Sequence, residues 1–130
     1  MNYFIKETKE YGRGLYATYN LVANRVLFSA ELLVLSEKDT IKVNETDLQY
    51  YTFKYSSQQD CLVLGAGELF NHSDTPNVGY TLIPYGEGDR QVMVFHILRD
   101  IVAGEQLFID YSADTKVNTN DYTINLTGGK

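Results

Sequence analysis

The sequence predicts a mainly β fold, a single domain of small sheets. Two observations predict it. Most apolar runs are short and are cut off by glycines or polar turns. No stretch carries a long helical period, so any helix is short. With 130 residues there is room for one core, which chemistry and recognition must share.

Residues 3–6 and 15–18 read as short strands, set off by Gly12 and Gly14. Residues 25–35 hold Val26, Leu27, Phe28, Leu32, Leu33 and Val34, one long strand or two short ones. The polar stretch 36–47 has loop character. Residues 49–55 carry Tyr50, Tyr51, Phe53 and Tyr55, and that aromatic density favours a strand. Residues 61–64 are a brief apolar run stopped by Gly65 and Gly67. In 78–84, Val78, Tyr80 and Leu82 alternate onto one face. A glycine-bearing turn at 85–90 leads to a buried strand at 91–98, which together make a β-hairpin. Gly104 marks a turn before a last strand at 107–109. From Asp114 the chain is polar and ends in Gly128, Gly129 and Lys130.

Composition narrows the function. The chain is 44% hydrophobic and 22% charged, ordinary for a soluble globular protein. No apolar run is long enough to span a bilayer, and the N-terminus lacks the apolar core of a signal peptide. The sequons at Asn44, Asn71 and Asn125 then read as chance matches. Cys61 is alone, so neither an intrachain disulfide nor a cysteine zinc cluster can form, and an intracellular setting is expected. The net charge of −6 disfavours contact with nucleic-acid phosphates and suits a basic partner. Solubility is the plainer account of that charge.

Three segments carry chemistry. Gly12-Arg13-Gly14 lets backbone N–H groups approach a ligand, although such a pair is more often a tight turn. The run from Gly67 to Asn77 crowds Asn71, His72, Ser73 and Asp74 between apolar strands, where a capped turn is the bland reading. Gly104 to Tyr111 is a turn and an apolar strand ending in Asp110-Tyr111. Alone, that tyrosine reads as structural. His96 lies outside these segments, reads as structural, and its spacing from His72 matches no metal motif, so no metal site is assigned.

In this order and spacing the segments resemble the SET-domain protein-lysine methyltransferases. That family carries a G-x-G near its start, an N-H-S-x-x-P-N motif and a G-E-x-L-x-x-D-Y motif. Here they read Gly12-Arg13-Gly14, Asn71-His72-Ser73-Asp74-Thr75-Pro76-Asn77 and Gly104-Glu105-Gln106-Leu107-Phe108-Ile109-Asp110-Tyr111. The similarity runs from Tyr3 to Ser112, and the brevity looks like the minimal stand-alone viral and bacterial members. Residues 1–115 are assigned to the SET domain and 116–130 to a polar tail that docks as a lid if it folds back.

The resemblance implies small curved sheets with a knot-like crossing of the last two motifs. It implies a protein-lysine N-methyltransferase using S-adenosyl-L-methionine on a lysine-bearing, basic protein, with a histone tail as one target and a non-histone protein as another. A SET-fold module that binds peptide or cofactor without turnover is the competing reading. Tyr111 would be catalytic. Gly12, Arg13, Gly14, Asn71 and His72 would bind the cofactor, with the His72 backbone by the adenine. Tyr51 and Phe53 would line the lysine channel; packing of the sheet is the alternative for the tyrosines at 50, 51 and 55. Family members often place an aromatic soon after the closing tyrosine, but here the first is Tyr122. Residues 25–47 match no motif, and substrate choice usually varies there. A cytoplasmic or nuclear location follows, without membrane or direct nucleic-acid contact. Analogy with the small viral enzymes admits a homodimer.

Overall fold

A computed structural model describes residues 1–112. Ten strands follow one another: β1 (Tyr3–Thr8), β2 (Gly12–Ala17), β3 (Val26–Ala30), β4 (Leu32–Val34), β5 (Thr52–Lys54), β6 (Asp60–Val63), β7 (Asn71–His72), β8 (Val78–Pro84), β9 (Gln91–Ile97) and β10 (Gln106–Ile109). They form three small sheets, ordered β1-β2-β10-β7, β3-β9-β8 and β4-β6-β5. The mainly β expectation is met, and residues 25–35 are two short strands.

The β8–β9 hairpin is the backbone of the core. Its register runs from Val78 opposite Ile97 to Pro84 opposite Gln91. Val78, Tyr80 and Leu82 join the main core with Phe95 and Ile97. The other face is buried too, where Ile83, Val92 and Val94 pack with Val26. The turn between the strands needs two left-handed residues, supplied by Gly86 (φ 77°) and Gly88 (φ 72°). Stacked and tilted rings then tie the sheets together. Phe95 lies 5.0 Å from Phe28 and 4.7 Å from Phe70, centroid to centroid.

Two segments differ from the sequence expectation. The polar stretch 36–47 is not all loop: it holds α1 (Glu37–Val43). Ser36 caps it, its Oγ accepting from the Asp39 N–H at 3.1 Å. Seven residues are too few to show a helical period, which is why the pattern is invisible in sequence. Thr40 and Asn44 dock the helix on β6, through the Asp60 N–H to Thr40 Oγ1 (3.1 Å) and Asn44 Nδ2 to Asp60 Oδ2 (3.0 Å). The predicted strand at 49–55 is instead a 3₁₀ turn, Asp47–Tyr51, followed by the three residues of β5. The Thr46 hydroxyl accepts from the Leu48 N–H and starts the turn, overriding the β preference of the tyrosines.

His96 is structural, as expected: it is 4% exposed, on β9 beside Gly79. Burial pushes its pKa down to about 4. The unfolded chain binds a proton near pH 6.5, so this histidine's contribution is intact above that pH. It is lost as pH falls from 6.5 towards 4. The loss should reach about 3 kcal/mol. Urea unfolding at pH 7 and pH 4.5 should show it, and His96→Gln should flatten that part of the pH dependence.

Candidate active site

The three motif segments come together at the end of the β1-β2-β10-β7 sheet. β10 pairs antiparallel with β2 and parallel with β7, where Phe108 faces Asn71 and Ile109 faces His72. Asn77, only 1% exposed, fastens the two closing motifs. Its Nδ2 donates to the Gln106 carbonyl (2.9 Å) and its Oδ1 accepts from the Phe108 N–H (2.8 Å). The Tyr80 hydroxyl adds a bond to the Asp110 carbonyl at 2.9 Å.

Gly12 opens β2 with φ 68°. Gly14 is bare for a different reason. A Cβ there would sit 2.5 Å from Gln106 Oε1 and 2.7 Å from Asn71 Nδ2. That amide also donates to Arg13 O (3.0 Å) and to Gln106 Oε1 (2.8 Å). Asn71 therefore holds the Gly12-Arg13-Gly14 strand against the site.

His72 holds the tyrosine. The Tyr111 N–H donates to His72 Nδ1 at 3.0 Å. Nδ1 must then be unprotonated, so the proton sits on Nε2, which donates to Asp74 Oδ1 at 3.0 Å. Asp110 lies 3.7 Å from the same ring. Bonds from the Ser112 hydroxyl and N–H hold its carboxyl below the usual range.

The Tyr111 hydroxyl donates to the Phe70 carbonyl at 2.5 Å. Burial and the neighbouring Tyr51 raise its pKa above 10.0, so it stays protonated at neutral pH. Two cavities meet at this residue. One, of about 330 Å³, is walled by Tyr51, Phe53, Phe70, Tyr80 and Tyr111. The other, of about 270 Å³, is walled by Tyr11, Arg13, Phe70, Asn71 and Tyr111.

The SET domain family matches residues 12–112. The chain belongs to the SET-domain family. A Schizosaccharomyces pombe relative, a histone-lysine N-methyltransferase specific for H3 lysine-37, is 30% identical over 110 residues, spanning 82% of this chain and 71% of the relative. Among solved structures, CpSET8 from Cryptosporidium is 22% identical with a TM-score of 0.70, over 88% of this chain and 59% of that one. Neurospora DIM-5, a SET domain histone lysine methyltransferase, is 17% identical with a TM-score of 0.67, over 88% of this chain and 54% of that one. The two structures speak for the fold. The activity of this SET domain is protein-lysine N-methylation, and SET methyltransferases generally use S-adenosylmethionine.

Of the residues singled out in the sequence of this SET domain, Arg13, Asn71, Tyr51, Phe53 and Tyr111 line the two cavities. Gly12, Gly14 and His72 line neither but stand next to residues that do. His96 is buried on β9, and 116–130 with Tyr122 lies outside the described residues. Tyr51 enters from the 3₁₀ turn rather than from a strand, and Phe53 from β5. Sequence reasoning passed over Asn77, Gln106 and Tyr80, whose roles are made across sheets. It also missed Glu68, although a lone acid between Leu62-Val63-Leu64 and Leu69-Phe70 is a visible anomaly. Among the described residues no group of three His, Cys, Asp or Glu side chains is placed to hold a metal, and no helix is long and apolar enough to cross a membrane.

Proposed function

We propose that this SET domain moves a methyl group from S-adenosylmethionine to the Nζ atom of a lysine in a basic protein segment, and that a histone H3 tail is the first substrate to try. The meeting of two differently built cavities at Tyr111 carries this reading. The one on the Arg13 and Asn71 side fits the cofactor. Arg13 offers a cation, Asn71 a positioned amide and Tyr11 a ring, beside a backbone kept bare at Gly14. Gly12, Arg13, Gly14, Asn71 and His72 would hold it. When bound, it supplies an electrophilic methyl on a sulfonium.

The aromatic cavity suits the lysine. Tyr51, Phe53 and Tyr80 offer ring faces and edges to an alkylammonium. Holding a lysine neutral at pH 7 costs about 4.6 kcal/mol in water, and desolvation between aromatic rings lowers that cost. Tyr111 acts by orientation. Its proton is committed to Phe70, so its oxygen lone pairs are left to accept from the amine N–H and from the polarised methyl. A target on histones implies a nuclear location, and the acidic surface favours a basic tail. Self-association into a homodimer is tested by a concentration series in light scattering.

Calorimetric titration with S-adenosylmethionine is expected to show one site, with competition by S-adenosylhomocysteine; no heat and no competition would end this reading. Gly14→Ala should weaken that binding at least about tenfold, because the new methyl collides with Gln106 and Asn71. Gly12→Ala meets no atom within 4 Å and should cost only the left-handed strain, about 1 kcal/mol of stability.

A further inference from the structure

Glu68 belongs to the 3₁₀ turn Gly65–Leu69 and borders both cavities of the site, as well as a third beside Leu62 and Leu64. One of its oxygens has a structural task. Leu64 N–H points to the β4 side of β6 and bonds Glu31 O, so the Val63 N–H points to the β5 side. There β5 has run out, since Thr52, its first residue, pairs with Leu62. Glu68 Oε1 replaces the missing carbonyl, accepting from the Val63 N–H at 2.9 Å. Oε2 has no donor among the described residues. The carboxyl is half-buried, and burial pushes it up to about 7 with no cation offsetting it.

Resting on the methyl-transfer reading above, we propose that the free oxygen of Glu68 is the receptor for the substrate's alkylammonium group, selecting a cationic lysine side chain for the aromatic cavity. Among the described residues no cation forms an ion pair with Glu68, although Lys54 and Arg13 share its cavities. On β6, burial and the charges of Glu68 and Asp60 push the Cys61 thiol up to about 12. On β5, Lys54 donates to Ser57 O at 3.2 Å. The 3₁₀ turn before β5 contributes Asp47 and Tyr51, and the closing motif contributes the neutral Tyr111. Arg13 sits on the wall of the cofactor cavity. An arriving ammonium supplies the missing counter-charge while the rings of Tyr51 and Phe53 take its flanks.

Glu68→Gln separates this role from the structural one, because its amide oxygen still accepts from Val63. Initial rates of labelled methyl transfer to core histones would be followed from pH 6 to pH 8.5. At pH 8.5 the wild type should exceed the variant about tenfold in kcat/KM, mostly through KM. At pH 6, where the wild-type carboxyl is itself protonated, the gap should close. A gap equal at both pH values, or none, would overturn the proposal. A second measurement needs no turnover. In carbon-13 NMR of the wild-type Glu68 carboxyl, saturating butylammonium should lower its titration midpoint by about one unit, the linked counterpart of a tenfold preference. An unmoved midpoint also overturns it. If the wild type transfers no methyl, the parent reading fails, and the NMR result still decides the role of the carboxylate.

Discussion

Tyr111→Phe is expected to lower methyl transfer about a thousandfold while leaving the fold and the cofactor affinity nearly unchanged. The reasoning is geometric. The ring is held from outside the hydroxyl, by the His72 ring 5.1 Å away and by the Tyr111 N–H on His72 Nδ1. Removing the oxygen deletes its bond to the Phe70 carbonyl, worth about 1 kcal/mol, and little else of stability. What disappears is a hydroxyl oxygen at the junction of the two cavities, placed to align amine and methyl. Single-turnover rates and calorimetry on the same preparations separate the two effects. A variant with wild-type rate would remove Tyr111 from the chemistry.

Asn77→Ala is the largest expected loss of stability, about 3 kcal/mol. Asn77 is fully enclosed, and both ends of its amide serve β10. Truncation strands the Gln106 carbonyl and the Phe108 N–H in a site water does not readily reach. For a domain of this size the melting temperature should drop roughly 10–15 °C. The loss should pull down activity with it, because β10 carries Tyr111 at its end. A shift under about 3 °C would mean that β10 is held by its pairing with β2 and β7 alone.

The carboxyl of Glu68 predicts a change of opposite sign. Its pKa in the fold lies above the unfolded value of 4.5, at about 7. A group raised in this way adds stability at low pH, and the gain is lost as pH rises through 7. Glu68→Gln should therefore melt higher than the wild type at pH 8.5 and not at pH 4.5. Differential scanning calorimetry at the two pH values checks this.

The sheets were legible because their signals are local. Alternation in 78–84 and the glycines of the following turn suffice for the β8–β9 hairpin. The parts that escaped are short or are decided at a distance. Ser36 and Thr46 start one helical turn or two by capping, against residues that look like loop and strand. In the site, Asn71, His72 and Tyr111 stood out only because three spaced segments matched a family pattern. Nothing along the chain says that the Asn71 amide reaches across 35 positions to Gln106, or that the Tyr111 N–H reaches back 39 positions to the His72 ring. Asn77 looks like any turn residue until Gln106 and Phe108 are placed beside it. Glu68 was readable as an acid among apolar neighbours, but its Val63 partner depends on where β5 begins.

The most direct test of the central claim is mass spectrometry of core histones after incubation with methyl-labelled S-adenosylmethionine and the wild-type protein, beside a parallel reaction with Tyr111→Phe. The account predicts label on lysine side chains of a basic tail, present with the wild type and nearly absent with the variant. Cofactor that binds yet leaves every lysine unlabelled, or equal labelling by both proteins, would contradict it.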